Sequence, residues 1–299
     1  MSLARYRNFL MILAVMIVGL MALGAGVRTM NAGLSCPDWP LCFGKVIPDF
    51  HPAVWFEFVH RAYAGVVALL YAGALFFAFR SKEMPKTVKT AAMWGSLFLA
   101  AQIIMGGLTV LLLVKAVVVT THLLLATLFF GCVLWMFFGV DHHLNAQKAK
   151  PSGISTTWII ALPILVFAQI AIGGLVASTY AGSVCVDWPL CNGQWVPTWK
   201  GAIGLQIIHR FFAYGLVALF VGLGGWALFR RERLSDLVWK LFLKSAVVVL
   251  LQTVVGIMNL LYFIPPQITV PHQTLAMILL GITLRLWFEA RSEKTALTV

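Results

Sequence analysis

The sequence predicts an all-α polytopic membrane protein whose eight transmembrane helices form two duplicated four-helix bundles. Three observations predict it. The 299 residues are 61% hydrophobic and only 11% charged, outside the range of water-soluble domains. Eight apolar runs are long enough to cross a hydrocarbon layer of ~30 Å. A small polar cassette, CPDWPLC at 36–42, returns as CVDWPLC at 185–191, and each copy is followed by HR at the same remove, at 60–61 and 209–210.

The runs cover roughly 9–27, 54–79, 91–114 and 117–140, then 156–178, 202–229, 241–263 and 269–288. The first stays apolar too long for a cleaved signal peptide and offers no small-residue cleavage site, so it is taken as helix one. The stretch MSLARYRN is too short for an Arg-rich, Ser-rich transit segment, which makes the cell (cytoplasmic) membrane of a prokaryote the expected location. An even number of spans puts both termini on one side. Arg5, Arg7, Arg80, Lys82, Lys86, Lys89, Lys148, Lys150, Arg230, Arg231, Arg233, Lys240, Lys244, Arg285, Arg291 and Lys294 fall on that side, sixteen of the 22 basic residues. By the positive-inside rule the termini are cytoplasmic and the cysteine loops lie outside. The net charge of +12 then reflects topology and contact with anionic membrane lipids, with no nucleic acid as partner.

At an offset of 149, Cys36, Trp39, Cys42, Gly44, His60 and Arg61 meet Cys185, Trp188, Cys191, Gly193, His209 and Arg210. Downstream, QIIMGGL at 102–108 pairs with QTVVGIM at 252–258, and THLLLA at 121–126 with PHQTLA at 271–276, at offset 150. Upstream the likeness is thinner: Gly24 meets Gly173, yet Gly26 faces Leu175. Four helices followed by four in the same orientation read as an internal duplication, with halves 1–145 and 151–299.

Four of the seven histidines occupy matching places: His60 and His122 in the first half, His209 and His272 in the second. In each half they come from the second and fourth helices, near the outer start of each, so the two rings reach similar depth. Ionisable groups at membrane depth face a bundle interior or a cavity. Two facing imidazoles in a four-helix bundle suit a haem iron held from both sides. Zinc or copper is the alternative, although no Cys or carboxylate cluster completes a tetrahedral site there. Gly106, Gly107 and Gly256 leave room for a flat ring, and Arg61 and Arg210 could pair with haem propionates. His51, His142 and His143 read as solvated loop residues.

Cys36 with Cys42, and Cys185 with Cys191, lie in outward loops, where disulfides persist. Closing so short a loop contributes roughly 2 kcal/mol by chain entropy, so each bridge shapes a lid rather than holding the fold. The alternative is redox activity, with electrons passed from loop cysteines to a bound cofactor. Cys132 reads as an apolar filler, and Trp39 and Trp188 as members of an interfacial aromatic belt. The halves differ at one telling place. Glu57 stands three residues before His60, where the second copy has Gln206 before His209. The spacing puts Glu57 on the face of His60, where a carboxylate could move a proton or stabilise positive charge; the bland alternative is an ion pair with Arg61 four residues on. The first half reads as catalytic and the second as an electron-transfer or structural copy.

Eight helices in two halves, EFVHR at 57–61 fitting an ExxHR pattern, cysteines bracketing DWPL and four helix-borne histidines together resemble the haem A synthase family, membrane enzymes of cytochrome oxidase assembly. The resemblance spans nearly the whole chain. It implies oxidation of the C8 methyl of haem O to a formyl group through successive hydroxylations, giving haem A. It implies His60 and His122 as ligands around the substrate haem, His209 and His272 as ligands of a haem b in the second half, and Glu57 as the carboxylate needed at the methyl. It also implies disulfides at the loop cysteines, although members of the family differ in how many they keep. The rivals are a di-haem b-type membrane electron carrier and a loop-thiol-linked quinone oxidoreductase. A transporter would need polar, broken helices near the midplane, whereas the polar residues here cluster in the outer third. No motif specifies the electron acceptor, the source of the oxygen atom, contact with a haem O synthase or a homo-oligomer.

Overall fold

The computed structural model describes residues 1–145, 153–154 and 156–296; Lys148 and Lys150, counted above among the cytoplasmic basic residues, lie outside them. Eight helices among the described residues are long and apolar enough to cross a membrane: α1 (Leu3–Thr29), α2 (Pro52–Arg80), α3 (Lys86–Leu111), α4 (Ala116–Asn145), α5 (Ala161–Ser178), α6 (Gly201–Phe229), α7 (Asp236–Leu261) and α8 (Pro266–Ala296). No β-strand occurs among the described residues, and a short helical turn, Thr156–Ile159, precedes α5. The protein is therefore an all-helical, multi-pass membrane protein. Large apolar side chains stand outward along the helices, among them Leu69, Phe76, Val117 and Phe229 at 75%, 71%, 72% and 92% exposure. Apolar surface on that scale is stable against lipid and not against water.

Several helices run past the apolar stretches that announced them. α1 takes in Arg5 and Arg7 and begins on Ser2, whose hydroxyl accepts from the Arg5 N–H at 3.4 Å. α4 continues through His142 and His143, so these two belong to a helix end and not to the expected loop. The polar turns extend from the hydrocarbon core into the headgroup zone, which hydropathy alone does not mark. α2 starts with Pro52 at its first turn, a place that needs no N–H.

Two helices stop sooner than their apolar runs. α3 ends at Leu111 because Leu113 and Val114 take φ of 53° and 49°, and α7 ends at Leu261 because Phe263 and Ile264 take 60° and 61°. Left-handed backbone at such bulky residues is uncommon and strained, and it closes the helix whatever the hydropathy.

By internal contacts the chain forms two compact units, one of Met1–Leu144 with Pro265–Gln273 and one of Asn145–Ile264 with Thr274–Val299. In the first, α1 packs on α2 and α2 on α3. Tyr6 of α1 donates to the Ala74 carbonyl of α2 at 2.9 Å, and Tyr71 of α2 to the Ala92 carbonyl of α3 at 2.6 Å. These buried hydroxyls satisfy themselves on backbone and so fix helix register where water is excluded. The Tyr71 ring meets Phe129 of α4 edge-on, and Arg7 pairs with Asp141 at 3.4 Å, which ties α4 into the bundle. In the second unit α5 packs on α6 and α6 on α7, with Trp158, Trp226 and Phe242 in mutual ring contact.

Candidate functional site

The first cassette is a closed loop standing over α2. Cys36 and Cys42 form a disulfide, both fully buried, and Cys42 and Lys45 exchange backbone bonds of 3.0 and 3.1 Å in a tight turn. Phe43 and Gly44 have φ of 54° and 69°, which turns their successive N–H groups inward. Into that nest goes the Asp38 carboxylate, accepting from Phe43 at 2.6 Å and Gly44 at 2.7 Å. The Gly44 N–H above all, with those of Phe43 and Asp38 itself and the Arg61 charge, holds the Asp38 carboxyl below its ordinary range.

Arg61 clamps this loop to α2. Its Nη1 donates to the Asp38 and Leu41 carbonyls at 2.8 and 3.0 Å, and its Nη2 to the Cys36 carbonyl at 3.1 Å and Glu57 Oε1 at 2.5 Å. Those four bonds use the four terminal N–H donors of the guanidinium. Glu57, only 3% exposed, accepts with its other oxygen from the Cys36 N–H at 2.8 Å. The carboxylate is thus both an ion-pair partner of Arg61 and the acceptor for the amide that carries the disulfide. Trp39 lies across α3, where a Cβ on Gly107 would stand 3.1 Å from its Cδ2.

The second cassette repeats the frame and omits the carboxylate. Cys185 and Cys191 form a disulfide, packed on Ile207 of α6, and Asp187 accepts from Asn192 at 2.6 Å and Gly193 at 2.8 Å. The Asp187 carboxyl is held down chiefly by the Gly193 N–H. Arg210 donates to the Leu190 and Cys185 carbonyls at 2.7 and 3.3 Å. Gln206 stands where Glu57 stands, 6% exposed, and its Oε1 is buried without a hydrogen-bond partner. Trp188 donates to the Tyr214 hydroxyl at 2.9 Å.

Half-buried imidazoles sit below the cassettes, and glycines make room for them. A Cβ on Gly24 of α1 would stand 3.0 Å from His60 Cε1, one on Gly106 of α3 would stand 3.2 Å from His122 Cε1, and one on Gly173 of α5 would stand 3.1 Å from His209 Cε1. In His60 and His122, Nδ1 is buried with no hydrogen-bond partner, a costly state for a polar atom that nothing else fills. His122 Nε2 meets the Gln102 amide nitrogen at 3.1 Å, and His209 Nδ1 meets that of Gln169 at 3.2 Å. Half-buried, under-bonded imidazoles beside glycine backbone are donors of the kind that would hold the iron of a flat macrocycle. His272 lies in the opening turns of α8, on the Pro265–Gln273 segment that groups with the first unit.

A model of the cytochrome oxidase assembly protein family matches residues 7–284. The chain belongs to this family. Similar proteins include the heme A synthase of Shouchella clausii, 33% identical over 219 residues that cover 70% of this chain and 72% of that protein. The heme A synthase of Caulobacter vibrioides is 29% identical over 321 aligned positions, 92% of each chain. That of Paracoccus denitrificans is 25% identical over 339, covering 95% of this chain and 87% of the other.

The structure brings Glu57, Arg61 and the Cys36–Cys42 loop together, with His60 on the next turn of α2. The expected disulfides at Cys36–Cys42 and Cys185–Cys191 are both formed. The expected alternative for Glu57, an ion pair with Arg61, is present. Neither guanidinium stands open: each holds carbonyls of its own cassette. Sequence reasoning gave no role to Asp38 or Asp187, although the repetition of Asp in both cassettes was the available signal. It also missed Gln102 and Gln169, whose partners are 20 and 40 residues away.

Proposed function

We propose that this chain is a heme A synthase, a membrane oxidoreductase that converts haem O to haem A for cytochrome oxidase by taking the C8 methyl to a formyl group through successive hydroxylations. Family membership over 7–284 and relatives named heme A synthase support the reaction class. The structural observation that carries it is the constellation in the first unit: two half-buried imidazoles whose Nδ1 atoms are buried and idle, His60 and His122, and a buried carboxylate one helical turn from His60.

In this reading haem O is the substrate and lies between His60 and His122 within 1–145, and His209 and His272 hold a haem b within 151–299. A haem so held supplies one-electron chemistry. The protein's own part is to orient and to stabilise. Glu57 presents negative charge on the His60 face of α2, where it offsets positive charge developing at the substrate methyl, and Arg61 and the Cys36 N–H fix its direction. Gln206 cannot do this for the second half, which makes that half the electron-transfer copy. The cysteine loops cover the haem sites from outside the cell membrane and both termini are cytoplasmic, as the distribution of basic residues supports. So insoluble a substrate favours direct transfer from a haem O synthase.

Pigment extracted from membranes after co-expression with a haem O source should contain haem A, identified by pyridine hemochrome. Haem B and haem O alone would support the di-haem carrier instead. Glu57→Gln should keep bound haem and lose haem A formation; full activity in that variant would remove Glu57 from the chemistry.

A further inference from the structure

The two units treat their first imidazole differently. Gly24 meets His60 and Gly173 meets His209 at nearly the same distance, 3.0 and 3.1 Å from Cβ to Cε1, so α1 meets α2 and α5 meets α6 in the same register. Four residues before Gly173, one turn back on the same face, stands Gln169; four before Gly24 stands Leu20. The Gln169 amide lies 3.2 Å from His209 Nδ1 and donates to the His209 carbonyl at 3.0 Å, which anchors the ring and its own backbone together. Leu20 has nothing to donate or accept, and His60 Nδ1 is buried without a partner.

We infer that Gln169 is a positioning residue that fixes the His209 imidazole and so retains the haem of the second half, whereas Leu20 leaves His60 free to turn and lets the first-half haem exchange. This rests on the two-haem reading above. Ligation of iron through Nε2 requires the proton on Nδ1 and an acceptor to hold it there. Gln169 Oε1, itself buried without a partner, becomes that acceptor when the amide turns over, and the ring contact then replaces the bond that Gln169 Nε2 makes to the His209 carbonyl. A resident electron carrier gains from a ligand held in this way. A substrate that must enter as haem O and leave as haem A each cycle does not.

The test follows haem transfer from the purified full-length protein to apomyoglobin by the Soret shift. In a His60→Ala background only the second-half haem should remain, and Gln169→Leu should release it ~10- to 100-fold faster, the usual weight of an outer partner on a ligating histidine. Gln169→Glu, whose carboxylate also accepts from Nδ1–H, should restore slow release. Leu20→Gln, with His60 intact, should slow loss of the first-half haem. Unchanged release in Gln169→Leu overturns the inference. Should that variant fail to form the Cys185–Cys191 disulfide, Leu20→Gln decides alone, and unchanged exchange there is equally fatal. A His60→Ala protein that carries no haem at all refutes the two-haem reading instead.

Discussion

Replacing Glu57 with Gln tests what the carboxylate does for the first cassette. One oxygen takes the Cys36 N–H at 2.8 Å and the other the Arg61 guanidinium at 2.5 Å, in a site only 3% exposed. An amide keeps a single acceptor, so it cannot serve both donors, and its NH2 then faces one of them. Arg61 retains three loop carbonyls, at 2.8, 3.0 and 3.1 Å, and is not stranded. The loss is therefore close to one hydrogen bond to a charged group, about 2 kcal/mol, well short of a broken buried ion pair. That energy belongs to the closed loop and not to the opened one, so it should shift the closing equilibrium about 30-fold. The assay is a titration with dithiothreitol, trapping free thiols by alkylation and assigning them by peptide mass. Cys36–Cys42 should open at lower reductant in Glu57→Gln, and Cys185–Cys191, which already lives with Gln206, should not move. Equal shifts in both disulfides, or in neither, would refute the reasoning.

Acid should loosen both cassettes. The Asp38 and Asp187 carboxyls have folded pKa values below their unfolded ones, so what they contribute is present above about pH 4 and is lost as pH falls through the lower folded value. Hydrogen exchange at the Phe43, Gly44, Asn192 and Gly193 amides, corrected for its intrinsic pH dependence, should rise in that window, and Asp38→Asn should raise it at neutral pH for the first pair alone. Gly24→Val and Gly173→Val each place a Cβ 3.0 or 3.1 Å from an imidazole carbon, with two methyls beyond it, so the ring must move. Each variant should lose haem from its own half and keep it in the other, read from pyridine hemochrome stoichiometry.

The membrane class and the eight spans were legible because hydropathy over about 20 residues reports burial in lipid directly. Helix ends were not. Arg5 and Arg7 belong to α1, and Val114 and Phe263 do not belong to α3 and α7, since left-handed φ at an apolar residue leaves no mark in composition. The loop disulfides followed from cysteine spacing and the side of the membrane. The role of Arg61 did not: its partners Cys36, Asp38 and Leu41 lie 25, 23 and 20 residues upstream, and a motif read locally points the side chain at a ligand where the fold points it at the loop. Glu57 was found by comparing copies, which reveals that a difference matters and leaves open which atom meets it.

The differences between the cassettes share a direction. The first loop reaches its histidine helices by two routes. One runs from the Cys36 N–H through Glu57 and one turn of α2 to His60. The other runs from the Trp39 ring to Gly107, next to the Gly106 that faces His122. In the second copy Gln206 Oε1 has no partner, the place of Gly107 is taken by Ile257, and Trp188 is spent on Tyr214 of α6. The frame common to both, a disulfide, an Asp in a nest of N–H groups and an Arg on loop carbonyls, holds a cap in place. The additions found only in the first, Glu57 on the Cys36 N–H and Trp39 against Gly107, join that cap to α2, which carries His60, and to α3, whose Gly106 faces His122. On the proposed two-haem reading, a cap tied to both of these helices suits a site that must open for its substrate, and one clamped to α6, through Arg210 and Ile207, suits a site whose haem stays.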